Sequence, residues 1–284
     1  VISTEAIAPD TFDIWLEHPD IDKRAKPGQF LILRLDEFSE RIPLTIVSTA
    51  EGRVRVIIKA IGKSTYKLCA VKPGDTIADI VGPLGNPSEI DRFGTVCVIG
   101  GGVGIAPLFP IARALKEAGN RVVGILGAAK KELLIMKDEF LPYLDELYIT
   151  TDDGSEGIKG NVTVALQEVL KKEKVEFIWA IGPMVMMKFV SLMAAENDIL
   201  CWVSLNPIMV DGTGMCGSCR VEVGGETKLA CVDGPEFDGH LVNYDLLIQR
   251  LQSFREEEHE AMMRHEKEEM ARCPMKKEME MEQG

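Results

Sequence analysis

The sequence predicts an α+β multidomain chain: an N-terminal antiparallel β-barrel, a doubly wound α/β domain and a small C-terminal metal-binding module. Three features carry this. Short apolar strands separated by turn signals fill roughly the first 90 residues. From about Phe93 the pattern changes to strands alternating with helical segments. Near the C-terminus an aspartate and three cysteines fall at metal-ligand spacing. The expected boundaries are 1–90, 91–200, 201–250 and a charged tail at 251–284, helical or disordered.

In the first part, Lys26-Pro27-Gly28 turns into an apolar strand, Ile42 to Ser48 forms another, and Arg53 to Lys59 alternates with period two. Lys72-Pro-Gly-Asp75 is a turn before a strand at Thr76–Val81, and Gly82-Pro-Leu-Gly85 breaks the chain. In the second part, Thr95–Ile99 is a continuous apolar strand of the kind a parallel sheet buries on both faces. A glycine-rich turn and a helix through Ala112–Ala118 follow. Further strands are expected at Arg121–Leu126, Glu146–Thr150 and Glu176–Ile181.

A chain of 284 residues with 46% hydrophobic content can bury real cores. Its formal charge of −13 argues against a nucleic-acid partner, which would want clustered Lys and Arg. No apolar run reaches membrane-spanning length, and Val1-Ile-Ser-Thr-Glu5 lacks the features of a signal peptide. Seven cysteines, an odd number with a metal-like trio, point to a reducing cytoplasm rather than a disulfide framework.

The trio is the most specific signal. Asp211 is followed after four residues by Cys216, after two more by Cys219, and after eleven more by Cys231. Gly212, Gly214 and Gly217 allow a loop to wrap closely around a centre. Iron–sulfur clusters are held by this kind of spacing, and here Asp211 stands where the first cysteine would be. The expected centre is a 2Fe–2S cluster on three thiolates and one carboxylate. A zinc site of the same four ligands and a plain Cys-x-x-Cys redox pair are the alternatives.

Gly100-Gly-Gly-Val-Gly-Ile-Ala-Pro107 follows a strand and opens a helix. Such a turn brings backbone N–H groups and a helix N-terminus to a pyrophosphate, although it is not the strict dinucleotide fingerprint. A tight strand–helix turn without a ligand is the alternative.

The order of barrel, Gly82-Pro-Leu-Gly85, Gly100–Pro107 and Gly182-Pro-Met-Val-Met-Met187 resembles the ferredoxin–NADP reductase superfamily, in which a barrel binds a flavin and an α/β domain binds NAD(P). With the cluster module added, the chain resembles the electron-transfer subunits of class B dihydroorotate dehydrogenase. It resembles more closely the small subunits of NADH-dependent reduced ferredoxin:NADP oxidoreductase, also described as sulfide dehydrogenase, which share the aspartate. The resemblance implies FAD, NAD(H) and a 2Fe–2S cluster as cofactors, and an oxidoreductase subunit that takes a hydride from NADH at the flavin and passes single electrons outward. It implies a larger partner subunit with a second flavin and 4Fe–4S clusters, reaching ferredoxin and NADP(H), in an electron-bifurcating heterodimer. The alternatives are the dihydroorotate electron-transfer subunit and, in another class, a non-catalytic zinc-stabilised nucleotide-binding regulator.

By the same resemblance, Arg41, Pro43, Leu44 and Thr45 match the flavin motif, with Thr45 beside the flavin N5 and Arg41 on the FAD pyrophosphate. The arginine lies one position early and Leu44 replaces the usual aromatic, so an ordinary strand arginine is the other reading. Gly62, Ser64 and Thr65 match the second flavin segment, where a helix cap would look similar. Gly101, Gly102 and Gly104 would cradle the NAD phosphates, and Gly182 and Pro183 would border the nicotinamide. Asp152 and Asp153 hold a ribose hydroxyl or make a turn. Lys130 and Lys131 leave NADP open. No general acid or base is expected. In the tail, His259, His265, Cys273 and the methionines are expected as exposed residues without a ligand role; a partner surface is the other reading for the methionines.

Overall fold

The computed structural model describes residues 1–272. Its first part contains β1 (Ser3–Ala8), β2 (Thr11–Glu17), α1 (Pro19–Arg24), β3 (Phe30–Arg34), β4 (Ile42–Thr45), β5 (Ser48–Ala50), β6 (Arg53–Lys59), α2 (Lys63–Cys69) and β7 (Asp79–Leu84). These strands form two antiparallel sheets, β1-β2-β6-β5 and β4-β3-β7. Period-two alternation sets the core: Ile14 and Leu16, Leu31 and Leu33, and Val54, Val56 and Ile58 pack together. Ile57 and Val47 instead join the apolar cluster around the following domain. β6 is therefore buried on both faces, and its second face seats one domain on the other.

The α/β part runs β8 (Thr95–Gly101), α3 (Ile105–Glu117), β9 (Arg121–Ala128), α4 (Lys137–Phe140), β10 (Glu146–Thr151), β11 (Ile158–Lys159), α5 (Val162–Lys172), β12 (Phe177–Ile181), α6 (Met184–Glu196) and β13 (Leu200–Ser204). Then come the hairpin β14 (Arg220–Val223) and β15 (Glu226–Leu229), β16 (Glu236–Asp238), α7 (Tyr244–Leu251) and α8 (Arg255–Arg272). Seven strands form one sheet in the order β11-β10-β9-β8-β12-β13-β16, parallel except for β16, which pairs antiparallel with β13. Val96, Val98 and Val122 pack with α3 on one face. Cys97, Ile99, Val123 and Ile125 pack with α5 and α6 on the other. Helices on both faces explain why the strands read as unbroken apolar runs.

Several expected elements shift. The strand expected at Thr76–Val81 lies at Asp79–Leu84 and runs through Gly82-Pro83, where a break was expected. A Cβ on Gly82 would lie 2.9 Å from Leu31 Cβ, so glycine here permits close strand pairing rather than ending the strand. The segment Ile42–Ser48 divides into β4 and the start of β5, which belong to different sheets. The boundary expected at 200/201 falls inside β13, and β16 returns from the C-terminal segment to complete the large sheet. Among the described residues the segment expected as a tail is helical after a break: α7 ends at Leu251 and α8 starts at Arg255. His259 is exposed on α8, and the His265 ring lies 6.5 Å from that of Tyr66 on α2. Cys273 lies outside the described residues.

Candidate functional site

The sheet order reverses between β8 and β12, so the helices after these two strands lie on opposite faces and a crevice opens at their C-terminal ends. The expected glycines sit there, each for a different reason. Gly102 has φ +57 with open space where a Cβ would be, so its role is conformational. A Cβ on Gly104 would meet the Ile181 carbonyl oxygen at 2.5 Å, and one on Gly101 would meet Met186 Sδ at 2.4 Å. These two allow β8, β12 and α6 to close together. The turn leads into α3, whose N-terminal N–H groups face the crevice with the positive end of the helix dipole.

Two cavities meet at this turn. The first, about 420 Å³, lies between Pro43, Leu44 and Thr45 of β4 and the ends of β8 and β12. It includes Gly101, Gly102, Gly104, Gly182 and Pro183. Asn206, Met209 and Pro235 complete it from the C-terminal segment, so all three parts of the chain contribute wall. The second cavity, about 330 Å³, runs over the ends of β9 and β10 along Gly127, Ala128, Thr150 and Asp152. Gly101, Gly102, Val103, Pro183 and Lys59 line both. The volumes and the shared wall suit a flavin and a dinucleotide placed end to end. Thr150 Oγ1 is buried in the wall of the second cavity with no hydrogen-bond partner among the described residues, as an atom awaiting a ligand hydroxyl would be.

Other expected residues fall elsewhere. Arg41 is exposed just before β4 and lines neither cavity. Gly62 is the N-cap of α2; Thr65 Oγ1 accepts from the Ile61 and Gly62 N–H groups, both at 3.0 Å. Ser64 Oγ donates to Glu40 Oε2 at 2.6 Å. The hydroxyls of this segment thus serve the helix cap and a neighbouring carboxylate. Asp152 faces the second cavity, whereas Asp153 Oδ1 accepts from the Ser155 N–H at 2.9 Å and makes the turn. The Asp153 carboxyl is held below its ordinary range, first by the Ser155 hydroxyl. Lys130 and Lys131 line neither cavity, and Lys131 Nζ lies 3.9 Å from Glu156.

Sequence reasoning missed Lys59, among the described residues the only cation in either wall. Its signal was weak: it ends the period-two strand β6, where an exposed lysine is ordinary. Met186 was inside a quoted motif without a role, and Asn206 had no signal.

The loop from Asp211 to Cys219 lies against the first domain. Gly212, Gly214 and Gly217 all have positive φ, as expected of the loop. A Cβ on Gly212 would lie 2.6 Å from Leu84 Cδ1 and 2.7 Å from Ile32 Cδ1, so the loop seats on β7 and β3. Cys219 Sγ and Cys231 Sγ lie 3.2 Å apart, buried. Burial pushes the Cys231 thiol up to about 12, and the neighbouring Cys219 sulfur adds to it. Cys216 is exposed, and the Ser218 hydroxyl 3.0 Å away holds its thiol below the ordinary value. Asp211 Oδ2 accepts from the Met215 and Cys216 N–H groups, both at 2.9 Å, and Oδ1 accepts from the Thr213 N–H at 3.1 Å. These bonds, the Thr213 one first, hold its carboxyl at about 2. Of the four expected ligands, the structure brings Cys219 and Cys231 together; among the described residues no three Cys, His, Asp or Glu groups converge at metal-binding distance. The donor set, two adjacent thiols and a third on a glycine-rich loop, nevertheless fits a thiolate-rich centre.

Residues 206–243 match the iron–sulfur cluster binding domain of dihydroorotate dehydrogenase B. Residues 98–192 match the oxidoreductase NAD-binding domain. A homologue of the dihydroorotate dehydrogenase B (NAD(+)) electron transfer subunit from Thermotoga maritima is 54% identical over 260 residues, covering 91% of this chain and 92% of its own length. The chain belongs to this family of electron-transfer subunits. Its fold is that of the ferredoxin–NADP reductase superfamily with a C-terminal iron–sulfur domain. A solved NADH-dependent reduced ferredoxin-NADP oxidoreductase, described for its insights into flavin-based electron bifurcation, superposes with a TM-score of 0.89 at 53% identity, over 93% of this chain and 96% of the solved one. The flavohem-like FAD/NAD binding domain of nitric oxide dioxygenase from Vibrio cholerae O1 biovar El Tor shares the fold at 20% identity, with a TM-score of 0.60 over 70% of this chain and 92% of that domain. No helix among the described residues is long and apolar enough to cross a membrane.

Proposed function

We propose that this chain is the NAD(H)-facing electron-transfer subunit of an electron-bifurcating NADH/ferredoxin:NADP oxidoreductase. The observation that carries the reading is the first cavity, whose wall is drawn from the flavin-type sheets, the NAD-type turn and the segment that bears the cluster loop. One ligand there touches all three, which is what a relay from dinucleotide to cluster requires.

When bound, FAD accepts a hydride and gives up electrons singly, and a 2Fe–2S cluster carries them onward. The chain's own residues do the rest. The two N-terminal sheets, closed as a barrel, carry Pro43, Leu44 and Thr45, which hold the flavin ring, with the Thr45 hydroxyl as hydrogen-bonding group. Phe30 and Pro235 close the wall toward the cluster segment and exclude water. Gly101, Gly102 and Gly104, with the α3 N-terminus, receive the dinucleotide phosphates, and Lys59 supplies their counter-charge. Gly182 and Pro183 border the nicotinamide. Asp152 takes a ribose hydroxyl, and its negative charge repels a 2′-phosphate, favouring NAD(H) over NADP(H). Gly62, Ser64 and Thr65 serve the flavin phosphates only by rearranging from their present contacts, and Arg41 only by turning in from its exposed position. Cys216, Cys219 and Cys231 hold the cluster, with Asp211 as the fourth ligand once it turns from the loop N–H groups. A reducing cytoplasm suits these thiols.

On this reading, domains at 1–90, 91–200 and 201–250 act as flavin, dinucleotide and cluster parts, and a larger subunit with its own flavin and 4Fe–4S clusters completes a heterodimer reaching ferredoxin and NADP(H). The test is reduction of NAD+ by NADPH in the reconstituted pair that depends on oxidised ferredoxin, which takes the second electron of each pair; reduction of NAD+ independent of ferredoxin would contradict it. A second reading, as electron-transfer subunit of a dihydroorotate dehydrogenase, draws on the name of the Thermotoga relative and of the matched cluster domain. Dihydroorotate-dependent reduction of NAD+ by the same pair, without ferredoxin, would select it.

A further inference from the structure

A separate pocket, sharing no residue with the cleft, lies beside the cluster loop. It has a volume of about 350 Å³. Leu247, Leu251 and Phe254 form its apolar side, and Arg220 and Arg250 its polar side. A side pocket of about 70 Å³ shares both arginines and Leu247. Among the described residues neither guanidinium is in an ion pair. Glu222 in the wall of the side pocket accepts from Asn243 Nδ2 at 2.8 Å rather than from either arginine, so the two guanidinium groups on the larger cavity repel each other, and an anion between them removes that repulsion. Guanidinium forks match a carboxylate in plane and in donor spacing.

The pocket also reaches the loop between Cys216 and Cys219. Ser218 lies in its wall, and Arg250 Nη2 donates to the Ser218 carbonyl at 3.3 Å. A Cβ built on Gly217 would lie 3.2 Å from Arg220 Nη1, so the second guanidinium also borders the loop. An anion that engages Arg250 competes with the Ser218 carbonyl for its N–H groups.

We propose that this pocket binds a carboxylate carried on an apolar body, clamped by Arg220 and Arg250, and that occupancy is felt by the cluster loop through the Arg250–Ser218 hydrogen bond. The ligand is a free organic acid or an acidic side chain of the larger subunit.

Benzoate serves as the probe, with benzamide as its uncharged counterpart. Calorimetric titration of the full chain, carrying its cofactors, is expected to give saturable one-to-one benzoate binding, with benzamide weaker by about tenfold or more. Arg220→Gln, an exposed position outside the core, is expected to weaken benzoate by a similar factor, and Arg220→Lys by less because the charge remains. Benzoate is also expected to shift the electron paramagnetic resonance signal of the dithionite-reduced cluster. Benzoate binding no tighter than benzamide, or equal in Arg220→Gln, would overturn the site; an unchanged signal at saturation would overturn its link to the loop. The titration needs neither NADH nor an electron acceptor, so its failure is distinct from failure of the redox reading. Repeating it on the assembled pair names the source: lost benzoate binding together with weaker assembly of Arg220→Glu assigns an acidic side chain of the larger subunit, and retained binding assigns a free acid.

Discussion

Arg55 on β6 reaches across the domain boundary to Glu139 on α4, with Nη1 2.5 Å from Oε2 and Nη2 2.9 Å from Oε1. Its other edge holds Asp13 of β2, with Nη2 2.6 Å and Nε 2.9 Å from Oδ2. Burial pushes the guanidinium down, but the bonds from Glu139 and Asp13 outweigh it and hold Arg55 charged. This triad ties the first domain to the second, beside the cleft to which both contribute wall.

Arg55→Met is expected to destabilise the chain by about 3 kcal/mol, because it leaves the Asp13 carboxylate buried and unpaired. Glu139→Gln is expected to cost about 1 kcal/mol, since Glu139 is 41% exposed and its pair is partly screened. Thermal or denaturant unfolding checks the order; equal effects would mean that Asp13 finds another partner.

Glu236 on β16 is 7% exposed, and Ser88 Oγ donates to its Oε1 at 2.8 Å across 148 positions of sequence. Burial raises its carboxyl to about 7, only partly offset by the Ser88 bond. Between the ordinary carboxyl value near 4.5 and about 7, the unfolded chain ionises while the folded one keeps its proton. Stability from this group is therefore full below that window and falls as pH rises through it, by roughly 3 kcal/mol in all. Glu236→Gln keeps a hydrogen-bonding partner for Ser88 and removes the titration. The difference in unfolding free energy between variant and parent is expected to grow in favour of the variant from pH 4.5 to 7; a pH-independent difference would place the proton elsewhere.

Lys59→Gln is expected to weaken NADH binding by about tenfold, through loss of one charge-assisted contact to phosphate. Fluorescence titration of the oxidised protein with NAD+, which carries the same phosphates and does not reduce the flavin, checks it. Unchanged affinity would show that the glycine turn and the α3 N-terminus suffice.

Asp211→Cys is expected to retain iron and to move both the midpoint potential and the electron paramagnetic resonance signal of the reduced cluster, because a soft thiolate replaces a hard carboxylate. An unchanged signal would remove Asp211 from the ligand set and leave it as the brace of its own loop.

The site was legible where backbone conformation is written into residue type. The glycines of the β8–α3 turn and of the cluster loop could be read because a positive φ or a close neighbour disfavours any side chain at these positions. Side chains with two local uses were not settled by pattern. Thr65 caps a helix as readily as it binds phosphate, and Asp153 makes a turn while its neighbour Asp152 faces the cavity. Long-range partnerships left no local trace. The pairing of β16 with β13, the Ser88–Glu236 bond and the Arg55–Glu139 clamp join residues far apart in sequence. Lys59 becomes informative only once two cavities are seen to meet beside it.

The most direct test of the relay is the visible absorption spectrum of the anaerobic protein before and after NADH. The expected result is flavin bands over a broad iron–sulfur absorbance, both bleached by NADH and little affected by NADPH. Flavin bleaching with the iron–sulfur absorbance untouched at equilibrium, or a fully loaded protein indifferent to NADH, would contradict the path from dinucleotide through the shared cavity to the cluster loop.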